Sequence, residues 1–159
     1  MVTASEGTDV RDQSGAPEGA PAAPIPVIEG IFRTEDDRVT LVGSRCPKCG
    51  TAAFPPRRSC LACGSREVET ADLGSRATVY SFARADMAMP GYEPGHLFGM
   101  VELDSGPRIY AHFEGTDYDS LKIGAPVELV AGVIRTDEEG RQVLGPKFRP
   151  ADDAPGSAK

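Results

Sequence analysis

The stretch "RCPKCGTAAFPPRRSCLACGS", residues 45–65, contains all four cysteines of this 159-residue chain. The cysteines form two Cys-x-x-Cys pairs, ten residues separate the pairs, and a glycine follows each pair. Zn²⁺ prefers four tetrahedral ligands, and two such turns on adjacent β-hairpins bring four sulfurs together. We therefore predict a zinc ribbon whose ligands are Cys46, Cys49, Cys60 and Cys63.

This metal site is expected to be structural. Four thiolates leave no open coordination position for water, whereas catalytic zinc usually keeps one. Gly50 and Gly64 are expected to take the positive φ that such turns often need. Rubredoxin-like iron stays an alternative, because four cysteines also bind iron and the spacing alone does not separate the two metals.

Charge is unevenly distributed along the chain. The formal net charge is −7 and the sequence pI is about 4.8, yet residues 45–66 contain five cationic side chains and no carboxylate. Nucleic-acid proteins usually need a broad basic surface with stacking aromatic rings. The acidic pI, 6% aromatic residues and absence of tryptophan argue against that function. A nucleic-acid-binding ribbon and barrel module remains an alternative hypothesis.

The composition changes at four places along the chain. The two ends are rich in Ala, Gly, Pro, Ser and acidic residues, which cannot bury enough apolar surface to fold. The predicted units are a disordered acidic tail at 1–25, a helical or irregular docking segment at 26–37, a zinc ribbon at 38–73, a barrel at 74–150 and a disordered tail at 151–159.

The barrel prediction depends on short alternating segments separated by Gly and Pro. One short helix is expected at 115–124, and hairpin turns are expected at 105–107 and 137–140. Five strands with one helical connection match a five-stranded Greek-key barrel of the OB type. The fold class is therefore mainly β, a rubredoxin-like ribbon followed by an OB-fold barrel. The predicted strands are 76–85, 96–104, 108–115, 125–134 and 141–148.

Few residues remain as candidates for catalysis, because the predicted metal site uses every cysteine of the chain. No G-x-S-x-G motif, P-loop or dinucleotide fingerprint is present in the sequence. His112 alternates with apolar residues in its strand, so it is expected to be solvated or at the barrel rim. The loop 86–96 contains Tyr92, Glu93 and His96, which would serve a stand-alone acyl-CoA-processing enzyme. We predict that the chain is not itself an enzyme and keep that hypothesis as the alternative.

The sequence also predicts a cytoplasmic protein without a membrane anchor. No run of 18 apolar residues occurs, and the first twenty residues contain no apolar signal core. Thiols stay reduced in the cytosol, so paired cysteines there indicate metal binding rather than disulfides.

Several separated blocks resemble one known family. They resemble the zinc-ribbon/OB-fold acyl-CoA-associated proteins, also called domain of unknown function thirty-five, and the resemblance covers about residues 28–150. The blocks are the cysteine stretch at 45–65, "GSRATVYSF" at 74–82, "LFGMVELDSGPRIYAHFEG" at 97–115, "LKIGAPVEL" at 121–129 and "GPKFRP" at 145–150.

The resemblance implies an accessory subunit in lipid or acyl-CoA metabolism. Proteins of this kind assemble with thiolase-like or aldolase-like subunits into hetero-oligomers, and the partner holds the catalytic residues. The ribbon and the N-terminal segment dock on the partner, while the OB barrel helps to form the channel for coenzyme A esters.

The same resemblance suggests residues that contact coenzyme A. In the closing block, Lys147 and Arg149 flank Phe148, and two cations around an aromatic ring suit a phosphate-bearing adenine nucleotide. Arg57 ends the "FPPR" block at 54–57 and is a further candidate. That block is either a docking element or a rigid loop fixed by its prolines.

Overall fold

The computed structural model describes residues 23–36, 38–87 and 89–151, and these ranges contain ten strands and no helix. Most of both predicted tails, residues 1–22 and 152–159, lies outside the described residues. The strands are β1 (Ile25–Pro26), β2 (Phe32–Glu35), β3 (Arg38–Arg45), β4 (Ala52–Ala53), β5 (Glu69–Asp72), β6 (Arg76–Arg84), β7 (Leu97–Leu103), β8 (Arg108–Phe113), β9 (Pro126–Thr136) and β10 (Gln142–Pro150).

Strands β6 to β10 close into a five-stranded barrel. The pairing runs β9–β6–β7–β8–β10, and β10 pairs with β9 to complete the ring. Only β8 and β10 are parallel within the ring. Gly106 N donates to Leu103 O at 2.8 Å and Gly140 N to Asp137 O at 3.1 Å, so both predicted hairpin turns are confirmed. The predicted mainly β fold with an OB-type barrel is confirmed.

Alternation along the strands fills the barrel with apolar side chains. On β8, Ile109, Ala111 and Phe113 are buried, as the alternating pattern predicts. The ribbon shares this core, because Val39 and Leu41 of β3 belong to the same buried cluster. A fully buried aliphatic or aromatic side chain stabilises the fold by about 1.5–3 kcal/mol relative to exposure. Ribbon and barrel are therefore joined by packing as well as by the chain.

The connection 115–124 is a turn and not the predicted short helix. The Asp117 carboxylate accepts the amides of Asp119 and Ser120 at 3.0 and 2.9 Å, which gives the chain a local alternative to a helix. Leu121 N still donates to Asp117 O at 3.1 Å, but Gly124 follows with φ of 85°. The segment therefore makes a single turn before β9.

The docking segment 26–37 is extended rather than helical where it is described. Val27 N donates to Leu144 O at 2.7 Å beside β1, which runs parallel to β10. Gly30 then takes a φ of 75°, and the chain continues into β2 along the ribbon strand β3. The segment therefore connects the barrel edge to the ribbon edge. None of the described ranges contains a helix long and apolar enough to cross a membrane.

Candidate metal centre and ligand-binding faces

The two Cys-x-x-Cys turns have the same backbone hydrogen bonds. In the first, Cys46 N donates to Thr51 O at 2.9 Å and Gly50 N donates to Cys46 O at 2.8 Å. In the second, Cys60 N donates to Ser65 O and Gly64 N donates to Cys60 O, at 2.8 and 3.0 Å. The two glycines have φ of 76° and 71°, a region that glycine enters without steric cost. The predicted glycine role is therefore confirmed.

The four sulfurs have the spacing of a tetrahedral metal site. All four Sγ atoms lie within 4.8 Å of one another. Cys46 and Cys63 sulfurs are 3.7 Å apart, and those of Cys49 and Cys60 are 3.5 Å apart. A tetrahedron of sulfurs about 2.3 Å from Zn²⁺ has edges of about 3.8 Å. The donor set therefore fits one zinc ion with no further position for water.

The electrostatics of the thiols also fit a divalent cation. Hydrogen bonds from the Thr51 hydroxyl and amide lower the pKa of Cys49 to about 6. The Ser65 amide lowers the pKa of Cys63, but nearby Cys49, burial and the other sulfurs outweigh it and raise that pKa to about 11. One thiolate therefore opposes ionisation of the next. A bound Zn²⁺ would compensate this repulsion, because metal ligation requires deprotonated sulfur.

The "FPPR" block packs against the ribbon. Phe54 is partly buried against the core, and its peptide bond to Pro55 is cis. The Arg57 amide donates to Ser44 Oγ at 3.0 Å, and Ser44 is a buried polar residue of β3. The side chain of Arg57 is exposed. The loop is therefore anchored at Ser44 and presents a cation to solvent.

The closing block divides between the inside and the outside of the barrel. Phe148 is 0% exposed and belongs to the barrel core, so its ring is not available to stack on a nucleotide. The prediction of a contact from Phe148 to coenzyme A is therefore wrong. Strand alternation places its neighbours Lys147 and Arg149 on the outer face.

These two cations line different cavities. Lys147 Nζ is 3.1 Å from Glu114 Oε2, and its cavity of about 100 Å³ also includes His96 and His112. Arg149 lines a second cavity, which lies where the ribbon meets the barrel. Lys147 and Arg149 therefore do not form one site, and Arg57 belongs to the ribbon loop.

A cluster of rings lies on the outer face of the barrel, and the sequence pointed only to its two loop members, Tyr92 and His96. Tyr92 stacks on His96 and on His112, with centroid distances of 5.3 and 5.9 Å. Phe98 lies 5.8 Å from His96, and Tyr110 lies 5.2 Å from His112. The rings come from the loop between β6 and β7 and from β7 and β8, which is the face that OB folds use for ligands. We call these five residues the aromatic face.

His112 is half-buried in the aromatic face rather than solvated. Burial, with smaller contributions from His96 and Lys147, lowers the pKa of His112 to about 4. The ring is therefore neutral near pH 7. Glu93 O lies 2.7 Å from His96 Nδ1, which holds the second histidine against the loop.

Two methionines extend the aromatic face into solvent. Met87 is 83% exposed and Met89 is 62% exposed, and both line a cavity with Phe98 and Tyr110. Flexible methionines beside aromatic rings are typical of surfaces that bind partners. The barrel exterior therefore carries an apolar surface beside its charged positions.

The fold and the sulfur geometry define a zinc-ribbon protein with an OB-fold barrel. A family model described as "ChsH2, rubredoxin-like zinc ribbon domain" matches residues 37–69. Another, described as "ChsH2, C-terminal OB-fold domain", matches residues 70–132.

Curated relatives agree with these matches. The chain is 34% identical over 109 residues to "Benzoylsuccinyl-CoA thiolase subunit BbsA" of Thauera aromatica, covering 69% of this chain and 75% of that protein. It is 31% identical over 126 residues to a "DUF35 domain-containing scaffold protein" of Methanocaldococcus jannaschii, covering 77% of this chain and 89% of that protein.

A solved structure shares the fold as well. The structure titled "Ltp2-ChsH2(DUF35) aldolase" aligns with a TM-score of 0.59 and 33% identity, covering 70% of this chain and 84% of that one. The chain belongs to the ChsH2-type family of zinc-ribbon/OB-fold proteins, which is the family that the sequence blocks indicated.

Proposed function

We propose that this chain is a non-catalytic accessory subunit that docks on a thiolase-fold enzyme and helps to form its acyl-CoA channel. The enzyme would be a thiolase, an acyltransferase or a lipid-transfer-type aldolase. One observation carries the proposal. The matches span ribbon and barrel together, and the matched proteins are named a thiolase subunit, a scaffold protein and an aldolase.

The metal centre supports a structural role for the ribbon. The four cysteines are the only cysteines of the chain, and their geometry leaves zinc without an open position. Zinc would therefore fix the shape of the ribbon tip and supply no Lewis acid. Reduced thiols suit the predicted cytoplasmic location.

The outer surface supports a binding role. Met87 and Tyr110 are 83% and 55% exposed, and aromatic residues, Met and Arg are enriched in protein interfaces. We infer that the partner covers part of the aromatic face in a hetero-oligomer, and that an acyl-CoA lies between the subunits. The candidates for its phosphates are the exposed cations Arg57 and Arg149 and the half-buried Lys147, which pairs with Glu114.

The chain would act by completing a pocket. A surface that covers the acyl-CoA excludes water and holds the thioester against the partner's catalytic residues. Because the ligand and the partner would both bind the folded chain, each should raise the free energy of unfolding of the chain by mass action.

A stand-alone acyl-CoA-processing enzyme is the second candidate. The observation that favours it is the grouping of Glu93, His96, His112 and Lys147 around one cavity. Turnover of acetyl-CoA by the purified chain, lost in a His96→Gln variant and kept in a His112→Gln variant, would support this candidate.

The test of the main proposal is affinity capture of the tagged full-length chain from its own host at moderate salt, followed by mass spectrometry. A thiolase-like or aldolase-like protein in stoichiometric amount is the expected result. Recovery of the chain without any enriched enzyme of these classes would contradict the proposal.

A further inference from the structure

Three arginines meet at the junction of ribbon and barrel, away from the cysteines and the aromatic face. Arg38 begins β3, Arg76 begins β6, and Arg149 lies near the end of β10. With Ser75 and Glu128 they line a cavity of about 310 Å³. Small-molecule sites usually measure about 300–1,000 Å³ and are common where two structural units meet. We call this cavity the junction cavity.

The strand register explains why these charges come together. Glu128 on β9 is directly opposite Arg76 on β6, and on its other side it is directly opposite Arg149 on β10. Side chains paired in this way have Cβ atoms about 5 Å apart. Arg149 Nε and Nη2 lie 2.7 and 2.6 Å from Glu128 Oε1. Glu128 therefore orients Arg149 and neutralises one positive charge of the row.

The other two arginines keep their charge available. Within the described ranges, Arg38 and Arg76 have no carboxylate partner. Among the described residues that line it, the junction cavity has three guanidinium groups and one carboxylate, in a chain whose net charge is −7. Guanidinium groups donate paired hydrogen bonds that match the oxygens of phosphate. The cavity is therefore complementary to a small anion with several phosphate oxygens.

We propose that the junction cavity binds the phosphate groups at the nucleotide end of coenzyme A. Arg38 and Arg76 contact the phosphates, and Arg149 is the neighbouring cation that Glu128 positions. This assignment rests on the proposed function, which brings an acyl-CoA to the chain. Because Arg38 belongs to the ribbon and Arg76 to the barrel, the bound nucleotide joins the two units.

The experiment titrates coenzyme A, adenosine 3′,5′-bisphosphate and pantetheine into the zinc-loaded full-length chain by isothermal calorimetry. Coenzyme A and the bisphosphate should bind, and pantetheine should bind at least about tenfold more weakly because it lacks those phosphates. Arg38→Gln and Arg76→Gln should each weaken coenzyme A binding about tenfold. Glu128→Gln should tighten it about threefold, since the substitution removes a negative charge from the cavity lining.

Arg66→Gln is the matched control. Arg66 is an exposed ribbon arginine that does not line the junction cavity, and its substitution changes the net charge by the same amount. Binding to this variant should stay within about twofold of wild type, because distant surface charges are screened by salt. Thermal unfolding of each variant shows whether the fold is intact.

Three results would overturn the assignment. They are no binding of coenzyme A by the wild-type chain, unchanged affinity in both cavity variants, or an equal loss in Arg66→Gln. If a thiolase-like subunit is captured and any of these results is found, the accessory function is supported and the assignment of this site is refuted. Weakened binding in Arg38→Gln and Arg76→Gln without capture of an enzyme leaves the site standing without that function.

Discussion

The ribbon tip and the barrel are held together by different forces. Between residues 45 and 66 only Cys46 and Cys60 are buried, so this segment has almost no apolar interior. The barrel, in contrast, encloses Val79, Val101 and Phe148, each at most 1% exposed. Metal ligation therefore has to provide the folding free energy in the ribbon tip that burial of apolar side chains provides in the barrel.

Strand β3 connects the two regimes. Its first half places Val39 and Leu41 in the barrel core, and its last residue, Arg45, precedes the first zinc ligand. Gly43 lies between them, where a Cβ atom would overlap Ala53 O and Leu73 Cδ1. A substitution at one end of β3 should therefore destabilise only the unit at that end, unless it alters the shared core.

Loss of zinc should unfold the ribbon tip and leave the barrel folded. Structural zinc contributes roughly 10–16 kcal/mol of apparent binding free energy in small zinc domains. In Cys60→Ser, or after chelation, amides at 45–66 should lose protection in hydrogen–deuterium exchange while those of β7 and β8 keep it. Zinc added back to the chelated wild type serves as the control and should restore protection. Equal loss of protection in both regions would show one cooperative unit instead.

Phe148→Ala should destabilise the barrel and leave the metal site intact. Removing a fully buried ring costs about 3–5 kcal/mol, so the midpoint of denaturant unfolding should fall sharply. Zinc content should stay near one ion per chain because the ligands are elsewhere. The control is Ile123→Ala, at a side chain that is 69% exposed, and it should change stability by at most about 0.5 kcal/mol. A small effect of Phe148→Ala would contradict the assignment of this ring to the core.

Ser44→Ala tests the contact between β3 and the "FPPR" loop. The substitution removes the acceptor of the Arg57 amide and should cost about 1–3 kcal/mol. Chemical denaturation measures this loss, and Ser59→Ala at an exposed position should be nearly neutral. If the two variants have the same stability, the loop is not anchored through Ser44.

The smallest expected effect concerns the pH dependence of the barrel. Because the pKa of His112 is lowered to about 4 in the folded chain, the unfolded chain binds the extra proton first. This contribution to stability is complete above about pH 6.5 and is lost as the pH falls toward 4. Between pH 7 and 5.5 the loss should be about 1 kcal/mol, after allowance for the partly solvated ring.

His112→Gln isolates this effect from the titration of the zinc thiolates. The difference in unfolding free energy between the variant and wild type should depend on pH over that window. A difference that stays constant from pH 7 to 5.5 would show that His112 is protonated equally in both states.

Local patterns in the sequence were enough to predict the ribbon and the barrel strands. Cysteine spacing fixes the metal site within 18 residues of chain, and strict alternation identifies β8. The helix predicted at 115–124 was wrong because the Asp117 side chain competes for backbone amides. Alternation along β10 places Phe148 inside the barrel, because its neighbours Lys147 and Arg149 are charged and face outward.

The two outer sites depend on contacts that no local pattern contains. The aromatic face combines rings from a loop and two strands. Because aromatic residues make up only 6% of the chain, its composition does not predict this cluster. The junction cavity needs the register of β6, β9 and β10, which sets Glu128 between two arginines. These residues are far apart in the chain, and only the closed barrel brings them together.

The most direct test of the central claim is a comparison of acyl-CoA turnover by the isolated chain and by the affinity-captured complex. We expect the captured complex to convert its acyl-CoA substrate, whereas the zinc-loaded chain alone should show no turnover above background. Turnover by the isolated chain at the rate of the complex would contradict the claim that catalysis belongs to the partner.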